Sequence, residues 1–124
     1  MVRSAVLAIL IGLPCVNELR AGDKPQYKIG LIAKSESNPV FIAARVGAED
    51  AAKELSAKYK IDVSILWRTP AEEDAQKQAA FIEQLIVSGV DGLAISCSDA
   101  GKVTPAINKA VERGTIVACF DSDA

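Results

Sequence analysis

The chain has 124 residues, 50% of them hydrophobic and 24% charged, with a net charge of −2. That balance suits one modest globular domain and excludes a disordered chain. With fourteen basic against sixteen acidic residues and no block of like charge, there is no electrostatic reason to expect nucleic acid or an acidic membrane surface as a partner, and the lack of histidine removes both the commonest neutral-pH base and the commonest metal ligand.

Taken in order, the chain begins with Arg3 and then an uncharged run from Ala5 to Val16. A bilayer span needs about 20 apolar residues, so this run is too short to be one. A basic start followed by a short apolar stretch reads as a secretory signal over residues 1–21, cut after Ala21, with a buried N-terminal helix as the alternative. Leu19 is larger than the residue usual before such a cut, and Pro14 argues against lipidation at Cys15. Residues 22–26 form a polar linker, and the folded part is expected over residues 27–124.

Tyr27–Ala33 is a strand-length apolar run, and Asn38-Pro39 then opens a helix that lasts to Tyr59. Phe41, Ala44, Ala48, Ala52, Leu55 and Tyr59 recur at three- and four-residue spacing and make its apolar stripe. Asp62–Trp67 is a second strand. A second helix is expected from Glu72 to Ser88, with Ala75, Ala79, Ile82, Leu85 and Ile86 inward and Gly89 ending it. Gly92–Ser96 is a third strand, Val103–Arg113 a third helix with Ile107, Ala110 and Val111 inward, and Thr115–Phe120 a fourth strand.

Strands alternating with helices imply an α/β fold, an open doubly wound parallel sheet of about four strands and three helices. Continuous apolar runs in the first, third and fourth strands predict burial on both faces. Cys97 and Cys119 read as buried small hydrophobes, although an exported protein can pair two such thiols. The sequence stops where a fourth helix would start, so the outermost strand is expected to be a bare edge and the chain to be part of something larger.

Ligands of such sheets sit beyond the carboxyl ends of the strands. The first strand end carries no glycine loop for a dinucleotide or nucleoside triphosphate, and a nucleophile would lack its histidine, so the chain is expected not to be an enzyme and to need no cofactor or metal. What is present suits a polyhydroxylated ligand. Asp121 offers two acceptor oxygens after the fourth strand, Lys34 a donor after the first, and Asn38 both functions. Phe41 and Trp67 can stack on the apolar face of a sugar ring. Each also has a plainer reading: Asn38 as a helix cap, Phe41 as core, Trp67 as cover for a helix, Lys34 as a solvated charge.

The stretches KIGLIAKSESNPVF, GAEDAAKEL, DAQKQAAFIEQLIVSGVDGLAIS and AVERGTIVACFDSDA, which together cover nearly all of residues 28–124, resemble the periplasmic sugar-binding proteins of ABC transporters. The similarity is to the ribose-binding type and its rhamnose and autoinducer-2 relatives. It implies a type I periplasmic-binding-protein architecture with half of one lobe here, a small sugar or polyol as ligand, an ABC permease as partner and a periplasmic location. It implies further that Lys34, Asn38, Phe41 and Asp121 line the ligand cleft, and that Ser96, at the end of the third strand, reaches it. Val40 before Phe41 and Ser122 after Asp121 depart from the ribose pattern, and the Asp-Ser-Asp ending is nearer the rhamnose and autoinducer-2 branch. A sugar-responsive transcriptional regulator shares this fold and remains an alternative, as does a gene fragment without function.

Overall fold

The computed structural model of the chain describes residues 24–124. The segment read as an export signal, Cys15 within it and the first residues of the linker lie outside the described residues. The elements alternate as β1 (Gln26–Ile32), α1 (Pro39–Tyr59), β2 (Asp62–Trp67), α2 (Ala75–Val87), β3 (Gly92–Ile95), α3 (Ala100–Glu112) and β4 (Ile116–Cys119). All strand pairs are parallel, in the spatial order β2-β1-β3-β4. The α/β class and the parallel sheet read from the sequence are therefore those of the structure.

Each helix starts on a side-chain cap that meets otherwise unpaired N–H groups. Asn38 accepts from Val40 N at 3.0 Å, Asp74 from Gln76 N and Lys77 N at 3.0 Å each, and Asp99 from Lys102 N at 3.1 Å. These caps correct two helix starts. Asp74 delays α2 past Glu72 and Glu73, and Asp99 starts α3 three residues before Val103, leaving Pro105 inside it. Lys60 ends α1 in the left-handed conformation, and Gly89 and Gly114 follow α2 and α3 in the same region.

The chain leaves β1 to one side to form β2 and returns across it to form β3. With right-handed crossovers, α1 covers one face of the sheet while α2 and α3 cover the other. The main core lies under α2 and α3, where Ile32, Ile82, Leu85, Leu93, Ile95, Val103 and Ala110 are almost wholly buried. On the opposite face α1 packs against β2 and leaves β4 uncovered. Ile116 is 77% exposed, so burial on both faces fails for β4, which is a bare edge strand with an open face.

Three further expectations are corrected by the same geometry. The α1 stripe is buried only at Phe41 and Ala52, while Leu55 and Tyr59 are exposed. A 21-residue helix is about 31 Å long and a seven-residue strand about 23 Å, so the last turns of α1 outrun the sheet. Val111 is exposed on α3, whose inward stripe is Val103, Ala106, Ile107 and Ala110. Cys97 is buried, but Cys119 at the end of the edge strand is exposed.

Gly30 lies in β1 where α2 and β3 press closest. A Cβ there would meet Leu93 Cδ2 at 2.6 Å and Leu85 Cδ1 at 2.8 Å, and both leucines are buried. Gly30→Ala is expected to destabilise the fold by about 1–3 kcal/mol through overpacking, measured by urea titration. A variant as stable as the parent would show that the leucines repack freely.

Candidate functional site

The sheet changes direction between β1 and β3, and the crevice beyond the carboxyl ends of those two strands is where an open α/β sheet receives its ligand. Lys34 stands after β1, Ser96 after β3 and Asp121 after β4. The structure brings these three together on one atom. Ser96 Oγ donates to Asp121 Oδ2 at 2.9 Å, and Lys34 Nζ lies 3.1 Å from the same oxygen. Among the described residues no bond falls on Oδ1, which is left as an oriented acceptor.

Asp121 is held there by its backbone. Its φ of 61° is left-handed, a region that aspartate enters more readily than most side chains. Around it Phe120 N donates to Ile95 O at 3.0 Å and Ser122 N to Phe120 O at 2.6 Å, so the chain turns tightly back toward β3. Ser122 completes the turn by donating from Oγ to Cys97 O at 2.7 Å. An open depression of about 240 Å³ is lined by Cys119, Phe120, Asp121, Ser122 and Asp123.

The hydrogen bond from Ser96, and then the hydrogen bond and charge of Lys34, hold the Asp121 carboxyl below the usual carboxylate range. Asp121 is 44% exposed and Lys34 25%, so the pair is partly screened by water. Ser96 is fully buried. The arrangement can accept a hydroxyl hydrogen at Asp121 Oδ1 and donate from Lys34. Its ionised carboxylate would make such bonds charge-assisted.

Asn38 and Phe41 sit differently. Asn38 uses its carbonyl oxygen as the α1 cap, which leaves its amide N–H groups for other partners. Phe41 is only 4% exposed and packs inside the domain, with little of its ring open to stacking. Trp67 is half-buried at the end of β2. Its indole N–H donates to Glu36 Oε1 at 3.3 Å and Arg45 lies 5.6 Å from the ring centre, so one ring face is already covered.

Two residues that sequence reasoning passed over support these strand ends. Thr69 Oγ1 accepts from Ala33 N at 2.9 Å and is buried. Gln78, on the inward stripe of α2, is fully buried and uses its whole amide: Nε2 donates to Ala33 O at 3.0 Å and Ser96 O at 2.9 Å, and Oε1 accepts from Ser98 N at 2.9 Å. The available signal was a glutamine four residues before Ile82 and seven before Leu85, a polar residue on a core stripe.

With this geometry established, comparison places the chain. A family model described as a periplasmic binding protein domain matches residues 29–124. The chain belongs to that family. It is 32% identical over 104 residues to the ribose import binding protein of Bacillus subtilis, covering 84% of this chain and 32% of the relative. It is also 32% identical over 100 residues to the D-ribose/D-allose-binding protein of Pseudomonas aeruginosa, covering 81% of this chain and 30% of that one. Among solved structures, a sugar ABC transporter protein from Actinomyces odontolyticus superposes with a TM-score of 0.71 at 30% identity, over 79% of this chain and 30% of the other. The chain thus spans about a third of the length of the relatives it matches. These family members are transport proteins that bind a solute, not enzymes.

Two outcomes follow from the site. The carboxyls of Asp121, Asp74 and Glu83 are all held below their ordinary values, by Ser96, by the backbone N–H of Lys77 and by Lys109 respectively. A lowered folded-state pKa stabilises the fold above the ordinary value, and that stability is lost as pH falls through the lowered one. Melting temperature is therefore expected to fall once pH drops below about 4. Asp121→Asn should lower it at neutral pH and flatten part of the acid decline. Equal acid sensitivity in Asp121→Asn and parent would remove Asp121 from this balance. The second outcome concerns the thiols. Burial, reinforced by Cys119 alongside, pushes the Cys97 thiol up to about 12. At pH 8 iodoacetamide should label Cys119 well before Cys97, read by peptide mass mapping. Equal rates would contradict the burial of Cys97.

Proposed function

We propose that this chain supplies one wall of the ligand cleft in the solute-binding component of a sugar ABC importer, working in the periplasm and presenting its ligand to a membrane permease. The ligand is a small monosaccharide or polyol, held at the carboxyl ends of the strands by Asp121, Lys34 and the amide of Asn38, with buried Ser96 fixing the Asp121 carboxylate and Phe41 supporting the wall from the core. The observation that carries this reading is the convergence of Ser96 and Lys34 on Asp121 Oδ2 at the switch point of the sheet. It leaves a fixed, ionised acceptor facing out of the crevice, which is what a sugar hydroxyl needs. The names of the two curated relatives support ribose and allose as the first ligands to try. In this reading residues 1–21 serve export and residues 27–124 form part of the N-terminal lobe.

One wall leaves a bound sugar open to water on its other side, so affinity from this chain alone should be weak, with a dissociation constant of about 1 mM or more. Titration of the isotope-labelled chain with D-ribose, D-allose and a small polyol panel, followed by NMR, is expected to shift the signals of Lys34, Ser96, Asp121 and Ser122 at tens of millimolar sugar. Asp121→Asn should abolish those shifts while the rest of the spectrum stays folded. Absence of any shift at these residues with every sugar would overturn the proposal. A micromolar constant would overturn the one-wall account of affinity.

A further inference from the structure

Parallel strands that pair side by side share backbone rungs only while their register lasts. Between β1 and β3 the final backbone bond runs from Ser96 N to Ile32 O at 2.9 Å. Just beyond it the carbonyls of Ala33 and Ser96 need donors, and the strand ends are free to part. Gln78 enters that gap from α2. Its Nε2 spans the two carbonyls, at 3.0 Å and 2.9 Å, and its Oε1 fixes the following loop through Ser98 N at 2.9 Å.

We propose that Gln78 is a positioning residue of the ligand site: its amide fixes the separation of the β1 and β3 ends so that Lys34 and Ser96 both meet Asp121. Its three bonds go to atoms flanking those side chains. The Ala33 carbonyl belongs to the peptide that leads into Lys34, the Ser96 carbonyl to the serine that donates to Asp121, and Ser98 lies two residues further along. Only an amide of this length supplies two donors and an acceptor without charge. Asparagine is one methylene shorter and cannot span both strands. Glutamate would set a carboxylate oxygen against two carbonyl oxygens. An apolar side chain would fill the volume and leave the carbonyls unpaired. Because the backbone groups it pairs would stay buried without it, the amide contributes stability as well as the geometry it imposes.

The effect on Asp121 stands by itself, while the effect on sugar affinity rests on the function proposed above. Gln78→Leu, Gln78→Asn and, as a control destabilised on the same helix, Ile82→Val are compared with the parent chain. The first readout is the carboxyl-carbon NMR titration of Asp121 without sugar. In both Gln78 variants its midpoint is expected to rise toward that of an ordinary aspartate, because Ser96 and Lys34 no longer converge on Oδ2. In Ile82→Val it should stay where the parent has it, although that protein also melts earlier. A folded Gln78→Asn or Gln78→Leu with the parental Asp121 titration overturns the proposal. So does an equal shift in Ile82→Val, which would make the change a general response to lost stability. Gln78→Asn keeps the test open if Gln78→Leu does not fold. The second readout is D-allose and D-ribose titration, where the Gln78 variants should weaken binding by about tenfold, the worth of one good hydrogen bond. If the parent shows no sugar response, the functional reading fails and the Asp121 titration still decides the role of Gln78.

Discussion

The structure depends on what happens where paired strands run out of partners at a switch of direction. β1 lies in the middle of the sheet with β2 on one side and β3 on the other, and both neighbours stop within a residue or two of where β1 stops. Backbone pairing ends there, but the polar groups of the next residues are buried and still need bonds. Side chains take over the rungs. Thr69 meets the Ala33 amide from the β2 side, and Gln78 meets the Ala33 carbonyl from the β3 side. The peptide that leads into Lys34 is thus held from both flanks.

A site follows from that arrangement. Three loops leave the sheet at fixed spacing, each with a polar side chain near its root, and all three meet at Asp121 Oδ2. The left-handed turn at Asp121 fits this role, because it brings the carboxylate back over β3 instead of letting it trail into solvent. The tightly bonded turn from Phe120 to Ser122 keeps that conformation in place. Lys34 and Asp121 offset each other in charge, and Asp123 adds a further acid to the lining of the depression.

Much of the fold was legible because the signals are local. Asn38-Pro39 marks a helix start by itself, and Gly89 and Gly114 mark two ends. The strands are apolar runs between such marks. What escaped the sequence was relational. Val111, Leu55, Tyr59 and Ile116 are apolar and periodic, but whether they are covered depends on how long α1 is beside its sheet and which strands it overlies. The starts of α2 and α3 were misjudged because Asp74 and Asp99 act as caps only once the preceding loop aims them. For the site, the positions of Lys34 and Asp121 could be read from where strands end. Their meeting on one oxygen, and the part of Gln78 and Thr69 in arranging it, required residues 36 and 45 positions apart to be seen side by side.

The uneven cover of the sheet also bears on how the site moves. β1 is paired on both sides and its last three residues are buried, whereas β4 is an edge with one face open. Segments with few buried contacts open locally at lower free energy than a sheet's centre. Lys34 therefore follows a strand held on both sides, and Asp121 follows an exposed edge strand. Fluctuations of the crevice should be carried mainly by the Asp121 arm, swinging on β4 against an almost stationary Lys34. Any second surface that packed against β4 would quiet the site without touching it.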